Sequence, residues 1–366
     1  MNVSAVYRRV HDAWNYRLRN FNRGRWAIHC RPTTIVLLLT ERCNAKCLHC
    51  DIWKNTGKED TPSFEQWKQV LADLRGWLGP VTVTLSGGEA LIRPFATDLV
   101  AHGTKLGLFM EHLTHGYWED QTKIERLALA RPGLVTISFD GIGETHTRIR
   151  GRPMFWERTT RTIETLLRMR REHQLPYTVR LKHVIMSHNL NDTVEVAKFA
   201  NRDGMEVFFQ PIEQNYNTQE DANWHLESSN WPQDTNKVVS NVRTLIELKK
   251  QGYHIANTLN QLEVMIPYFE DPDAHRVTTM SHSAHERKVF CSALTHMQVH
   301  ANGDVRPCAM APPVGNIRQT PIREIWTGRP RFWESGCCLT KRLTEREVSS
   351  VIPAESLQVA SEWKSK

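Results

Sequence analysis

From residue 33 to residue 212 short β-rich runs alternate with stretches of helical periodicity, and no other feature limits the fold of this chain as tightly. The runs cover 34–40, 81–85, 106–114, 134–139, 178–185 and 206–212, and the helical patterns between them cover 63–76, 95–106, 122–131, 156–173 and 191–203. Alternation of this kind builds a parallel sheet covered by helices. Six units, short of the eight of a closed barrel, predict an α/β protein with a partial (β/α)6 TIM-type barrel. In such folds chemistry sits at the C-terminal ends of the strands.

Directly after the first run stands Thr40-Glu41-Arg42-Cys43-Asn44-Ala45-Lys46-Cys47-Leu48-His49-Cys50. Three thiolates this close on one loop can wrap one face of a cubane iron–sulfur cluster and leave its fourth iron without a protein ligand. An open metal position serves catalysis, whereas a closed one serves structure. On spacing alone two other readings stay open. A zinc knuckle wants a further ligand such as His49, which sits awkwardly between two cysteines. A ferredoxin-type cluster wants a fourth Cys, and none is nearby.

Cys-x3-Cys-x2-Cys after the first strand of repeated βα units resembles the radical S-adenosylmethionine (SAM) superfamily. The resemblance implies a [4Fe–4S] cluster on Cys43, Cys47 and Cys50, whose unique iron chelates the amino and carboxylate groups of SAM. An electron from the cluster then cleaves the S–C5′ bond, and the 5′-deoxyadenosyl radical abstracts a hydrogen atom from the substrate. The side chain before the third Cys is commonly aromatic in the family, a packing role open to His49.

Ser86-Gly87-Gly88-Glu89, closing the second run, resembles the family's Gly-Gly-Glu motif, which binds the methionine amino group of SAM. Glycines let backbone approach a ligand closely, and a carboxylate can receive an ammonium group. Thr114-His115-Gly116 stands where relatives carry Thr-Asn-Gly. Ser138 and Asp140, in Ser138-Phe139-Asp140-Gly141, match positions that line the ribose side of SAM in relatives. His146 and Arg148-Ile149-Arg150-Gly151 follow, and an Arg-x-Arg-Gly segment is frequent in the family. Ser187 and Asn189, past the fifth run, are candidates for ribose or carboxylate contacts. Turn and capping chemistry is the competing reading of these later residues. The resemblance covers residues 33–212.

Residues 285–340 hold four of the eight cysteines. Cys291 and Cys308 flank a hairpin signal, 296–300 and 305–307 about Asn302-Gly303. Gly315-Asn316-Ile317, a helical stretch over 322–326 and the vicinal pair Cys337-Cys338 come after it. This is similar to the C-terminal twitch or SPASM extension of some radical SAM enzymes. It implies one auxiliary [4Fe–4S] cluster, with Cys291, Cys308, Cys337 and Cys338 as candidate ligands. The usual downstream spacing is Cys-x2-Cys. Adjacent cysteines have Cα atoms only ~3.8 Å apart, which makes it awkward for both to reach different irons. One of them is expected to ligate while the other is buried or serves as a thiol hydrogen donor, a catalytic role assigned to Cys338. A structural zinc site and plain buried thiols are the competing readings. Cys30 reads as a buried side chain.

Residues 1–32 read as a basic amphipathic helix. Val3, Tyr7, Val10, Trp14, Leu18 and Phe21 recur at helical spacing among Arg8, Arg9, Arg17, Arg19 and Arg23. Docking on the protein's own body is the expectation, and peripheral contact with a membrane surface the alternative. The expected organisation continues with the barrel over 33–215 and a connecting, substrate-facing segment over 216–284, polar over 214–235 and helical over about 235–251. A hairpin-and-helix auxiliary-cluster domain follows over 285–345, with a tail over 346–366. Trp224, His225 and Trp231 are candidates for lining a pocket, with packing as the plainer role.

No run approaches the ~20 apolar residues of a membrane span, and the N-terminus lacks an apolar signal core. Clustered cysteines without a secretion signal read as metal ligands, not disulfides, so the cytoplasm is the expected compartment. The formal charge of +7, from 47 basic and 40 acidic residues, favours anionic ligands without selecting one. Nucleic acid is disfavoured because no aromatic RNA-recognition signature is present.

The expected activity is that of an oxidoreductase-type radical SAM enzyme fed by an external reductant of flavodoxin or ferredoxin type. Its outcome is dehydrogenation, epimerisation or bond formation. Peptide-modifying relatives often carry a leader-recognition domain before the first strand, and residues 1–32 are too few for one. A small metabolite (a sugar, aminocyclitol or amino-acid derivative) therefore leads, with a peptide or a lipid as alternatives. An iron–sulfur electron carrier or redox-sensing binding protein would explain the cysteines but not Gly87, Gly88 and Glu89.

Overall fold

The computed structural model describes residues 3–20, 29–57, 59–215, 223–272, 292–308 and 311–329. Strands β1 (Thr34–Leu38), β2 (Thr82–Ser86), β3 (Phe109–Thr114), β4 (Leu134–Ser138), β5 (Thr178–Ile185) and β6 (Glu206–Pro211) lie side by side in sequence order, all parallel. The crossovers carry α2 (Phe64–Leu78), α3 (Ala96–Lys105), α4 (Thr122–Leu129), α5 (Glu144–Arg150) with α6 (Phe155–Glu172), and α7 (Thr193–Arg202). Local chemistry sets the ends of these helices. Ser63 and Gln66 exchange side chain-to-backbone hydrogen bonds in a capping box that starts α2, satisfying amides that the first turn leaves unpaired. Gly79, at φ 81°, ends the same helix in a conformation that glycine adopts without strain.

Alternate strand residues such as Leu37, Leu85, Met110, Ile137, Leu181 and Phe209 are fully buried and join one continuous apolar core with the helices. The intervening positions, among them Thr84, Ser86, Glu111, Ser138, Lys182 and Gln210, are only partly buried and line the other face. That face is polar and tied together. Glu111 accepts from Thr84 Oγ1 and Thr136 Oγ1 at 2.8 Å each, and Arg180 pairs with Glu206 at 2.5 Å.

The predicted hairpin forms from β7 (His296–Val299) and β8 (Asp304–Arg306), with Gly303 at φ 89° in its turn. It is not detached from the barrel. β7 pairs in parallel with β1, from Thr34 opposite His296 to Leu37 opposite Val299. With β9 (Gly315–Asn316) on β8, the nine-stranded order is β6-β5-β4-β3-β2-β1-β7-β8-β9. The outer strands β6 and β9 do not pair with each other, so the barrel is partial, as the count of units predicts.

Past β6 come α8 (Trp224–Glu227), α9 (Thr235–Lys250), α10 (Leu259–Glu263) and α11 (Met265–Glu270). α9 packs beside α7, buries Val238, Val242 and Leu245, and ties itself to the barrel by Asn241 Nδ2 donating to the Leu190 carbonyl at 2.6 Å. The Asn257 amide brackets Phe209, accepting from its N–H and donating to its carbonyl. Part of the segment expected to be a connector is therefore the sixth covering layer of the barrel. Trp231 sits among Trp224, His225, Tyr268 and Phe269, with ring centroids 5.5–5.6 Å away, which is packing. α12 (Ile322–Thr327) packs on α2, and its Trp326 Nε1 donates to the Cys30 carbonyl at 2.8 Å. Cys30 is buried, as expected.

The N-terminal helix α1 (Val3–Asn20) docks on the body, but by its polar side. Ser4, His11 and Asn15 are buried, whereas Val3, Val10, Trp14 and Tyr16 are about half exposed. The His11 imidazole bonds the Leu78 carbonyl at 2.8 Å, and Asn15 both donates to the Arg31 carbonyl and accepts from the Arg31 amide. Hydrogen bonds to backbone fix the helix here together with Leu18, packed on Cys30 and Leu294, and the Tyr7 ring against Gly79, so only part of its apolar spacing marks the docked face. No helix among the described residues is long and apolar enough to cross a membrane.

Candidate active site

The loop bearing Cys43, Cys47 and Cys50 leaves β1 and is gripped on two sides. On one side Gly88 N–H donates to the Thr40 carbonyl at 2.7 Å and Glu89 N–H to the Arg42 carbonyl at 2.9 Å. A Cβ on Gly87 would lie 2.3 Å from the Thr40 oxygen, and one on Gly88 would lie 2.3 Å from the Arg42 oxygen. The sequence suggests that these glycines admit a ligand. In the structure the close approach is to the backbone of the cysteine loop itself. On the other side Lys46 and Leu48 N–H donate to the Arg150 and Ile149 carbonyls at 3.0 Å each. A Cβ on Gly151, at φ 70°, would lie 2.2 Å from the Lys46 oxygen. The Arg148-Ile149-Arg150-Gly151 segment is thus the second half of the loop's cradle. Glu59 holds it from a third direction, accepting from Thr40 Oγ1, Glu41 N–H and Arg93 Nη2. Nothing in the spacing of the motifs singles out Glu59 or Arg93.

The three cysteines lie against Ala45, Phe155 and Tyr117. Burial pushes Cys43 up to about 12 and Cys50 up to about 11, and it raises Cys47 in spite of the neighbouring Arg150. Thiols in such surroundings ionise only when a cation or metal binds them. Among the described residues no three His, Cys, Asp or Glu side chains converge on a single ion. A cubane asks each thiolate to meet a different iron, so this trio suits a cluster and not a zinc ion. His49 faces Asp140: its Nε2 lies 3.9 Å from Asp140 Oδ2, and burial lowers its pKa to about 4. His49 Nδ1 and Arg150 Nε are buried with no hydrogen-bond partner among the described atoms.

Glu89 is almost wholly buried just past β2. Its Oε2 accepts from Thr114 Oγ1 at 3.0 Å and His115 N–H at 2.8 Å, and its Oε1 accepts from Leu91 N–H at 3.1 Å. Burial outweighs these neutral donors and pushes the carboxyl up to about 7. Thr114 therefore acts through Glu89. His115 ties the rim to the cysteine loop. Tyr117 N–H donates to its Nδ1, which leaves the proton on Nε2 to donate to Asn44 Oδ1 at 2.7 Å.

Asp140, past β4, is fully buried. Its Oδ1 accepts from Val184 N–H at 2.9 Å, and its Oδ2 lies 2.5 Å from Arg150 Nη2. Burial alone would raise its pKa, but the guanidinium prevails and holds it down to about 2. Arg150 Nη1 in turn donates to Cys47 Sγ at 3.5 Å. Ser138 and Ser86 are partly buried at the ends of β4 and β2, and Ser138 is paired in register with Lys182. Asn189 is turned inward. Its Oδ1 accepts from Met186 N–H, and its Nδ2 donates to the Asp140 and Val184 carbonyls. All three bonds are internal, so Asn189 positions Asp140 and fills the turn role weighed against ligand contact. Ser187 anchors the segment after β6 through its hydroxyl to the Ser229 carbonyl and its N–H to the Asn230 carbonyl.

Cys308 is partly buried just past β8. The other proposed auxiliary ligands, Cys291, Cys337 and Cys338, lie outside the described residues.

Residues 37–200 match the model of the radical SAM superfamily, and residues 291–347 match that of the SPASM iron–sulfur cluster-binding domain. The AdoMet-dependent heme synthase of Methanosarcina barkeri is 28% identical over 310 residues, covering 82% of this chain and 84% of that protein. The PqqA peptide cyclase of Rhodopseudomonas palustris is 32% identical over 180 residues, covering 48% of this chain and 46% of that one. The chain thus spans about half the length of that cyclase. The crystal structure of Streptococcus suis SuiB bound to precursor peptide SuiA shares the fold, with a TM-score of 0.60 at 14% identity over 91% of this chain and 74% of SuiB. A parallel partial barrel, a cysteine loop on its first strand and a C-terminal hairpin extension agree with both domain matches. The chain therefore carries a radical SAM domain followed by a C-terminal SPASM domain, the make-up of a radical SAM enzyme that uses a [4Fe–4S] cluster, SAM and an auxiliary iron–sulfur cluster.

Proposed function

We propose that Cys43, Cys47 and Cys50 hold the SAM-binding cluster and that the enzyme modifies a peptide. The observation that carries the first half is the loop itself. Cys47 is buried and Cys43 and Cys50 are partly buried on a loop fixed by Gly87, Gly88 and Gly151, in surroundings that raise all three thiol pKa values. When bound, the cluster and SAM would supply a 5′-deoxyadenosyl radical, formed together with methionine by one electron from the external reductant, to remove a substrate hydrogen atom. The protein's part is to bind and orient. Glu89 retains acceptor capacity on Oε1 for the ammonium of SAM. Ser86 and Ser138 offer hydroxyls at the rim. Phe155 and Tyr117, stacked at 4.6 Å, wall the cysteine loop from water. Cys308 is assigned to the auxiliary cluster with Cys291, Cys337 and Cys338, and the external reductant is of flavodoxin or ferredoxin type.

A peptide substrate is favoured over the small metabolite suggested by the short N-terminal segment, because PqqA peptide cyclase is 32% identical over 180 residues. A second reading, an iron tetrapyrrole, has its own support in the heme synthase match along most of both chains. Reconstituted enzyme given SAM and dithionite should be challenged separately with a peptide library and with iron coproporphyrin. Product mass and deuterium transfer into 5′-deoxyadenosine are the readouts. Transfer from peptides supports the proposal, whereas transfer from the porphyrin alone replaces it with the second reading.

A further inference from the structure

A buried relay of charge reaches the cysteine loop from the far side of the rim. Arg150 is 6% exposed, and its two terminal nitrogens point different ways: Nη2 lies 2.5 Å from Asp140 Oδ2, and Nη1 donates to Cys47 Sγ at 3.5 Å. Asp140 is fully buried, held by the Val184 amide at Oδ1, and its backbone is pinned by His146 Nδ1 and Asn189 Nδ2. An ion pair removed from water in this way is costly to keep, and breaking it leaves an uncompensated charge. Neither domain match nor the Gly-Gly-Glu reading gives it a role. The charge of Arg150 also reaches Cys50 and Cys43, but among the described residues its hydrogen bond to sulfur goes to Cys47, whereas the main local relief of Cys43 and Cys50 comes from the backbone at Ala45 and Ile52. The cation is therefore directed at one of the three sulfurs.

We propose that Arg150 sets the reduction potential of the cluster held by Cys43, Cys47 and Cys50, with Asp140 as the positioning residue that clamps the guanidinium against Cys47. The inference rests on the assignment of that cluster to those cysteines. Hydrogen bonds to the sulfurs and net local charge are the protein's main controls on such potentials. Reduction adds one negative charge to the cluster, so a buried cation at a ligand sulfur favours the reduced state. The carboxylate behind it opposes that effect, and in a medium of low dielectric both act strongly. The two residues must therefore shift the potential in opposite directions.

The test uses full-length reconstituted enzyme and redox-poised EPR, following the signal that changes on addition of SAM and so belongs to the SAM-binding cluster. Wild type, Asp140→Asn and the double variant Asp140→Asn/Arg150→Gln are compared, each with iron and sulfide counted. Asn keeps the Oδ1 acceptor for Val184, and the double variant avoids stranding a buried carboxylate. Asp140→Asn should move the midpoint to more positive values. The double variant should fall below Asp140→Asn by at least a tenfold change in the one-electron equilibrium, about 59 mV. A residue that only supports the fold would lower iron content without shifts of opposite sign. Equal midpoints for the two variants, or a negative shift or none in Asp140→Asn, overturn the proposal. If the double variant binds no cluster, the sign of the Asp140→Asn shift decides alone. A wild type without any SAM-sensitive signal would instead overturn the underlying cluster assignment, and this proposal with it.

Discussion

Two buried carboxylates stand on the rim of the barrel, Glu89 past β2 and Asp140 past β4, and they differ in what balances their charge. Only neutral donors touch Glu89: two amides, a hydroxyl and, at 3.3 Å, a histidine that burial keeps neutral. Its pKa rises to about 7. Asp140 has a guanidinium at 2.5 Å and falls to about 2. Burial alone therefore does not define a ligand site. The carboxylate with its own cation is complete within the protein, and the one without is prepared to receive a cation from outside. That contrast is the ground for proposing that Glu89 receives the ammonium of SAM and that Asp140 acts through Arg150.

The largest effect that can break this contrast is on stability. Arg150→Ala strands Asp140 in the core and should destabilise the protein by about 3–5 kcal/mol. Denaturant unfolding of the metal-free protein measures it. A loss no greater than that of an exposed substitution would mean that the pair is not a closed unit.

SAM affinity should separate the two sites next. Glu89→Ala removes a charged partner worth about 1.5–3 kcal/mol, roughly ten- to a hundredfold in Kd. Asp140→Asn should stay within a fewfold of wild type. Equilibrium dialysis on reconstituted protein makes the comparison, and equal losses would erase the distinction.

The smallest effect is on pH dependence. Glu89 has a folded-state pKa raised to about 7, so it is mostly neutral at pH 6 and mostly ionised at pH 8. Its attraction for an ammonium group is therefore gained as pH rises through 7. SAM should bind about tenfold more tightly at pH 8 than at pH 6. The same carboxyl costs the ligand-free fold stability from its ordinary value of 4.5 up to about 7, because stability present below the unfolded pKa is lost as pH rises through the folded one. Asp140, held at about 2, adds no slope between pH 5 and 9. A flat SAM-binding profile would place the cation partner elsewhere.

Much of this rim was legible in the sequence, because local pattern carries it. Period-two runs gave six parallel strands, and Cys43, Cys47, Cys50, Gly87, Gly88 and Glu89 fell where the strand ends put them. What stayed hidden depends on contacts distant in sequence. β7 joins β1 across some 260 residues, and no local signal separates that from a free-standing hairpin. α9 covers the barrel after a long polar stretch that reads as a linker. His11 and Asn15 dock α1 by hydrogen bonds to Leu78 and Arg31, so a rule that places apolar residues inward finds Leu18 but misplaces Val3, Val10 and Trp14. Asn189 stands at a motif position but caps a turn, and Glu59 supports the cysteine loop without belonging to any motif.

The most direct measurement is SAM cleavage by anaerobically reconstituted enzyme with dithionite, quantified as 5′-deoxyadenosine for wild type and Cys47→Ala. The wild type should form deoxyadenosine, and Cys47→Ala should form none while retaining the iron of its auxiliary cluster. Cleavage by Cys47→Ala at the wild-type rate, or none by a wild type fully loaded with iron, would contradict the assignment of the radical-generating cluster to this loop.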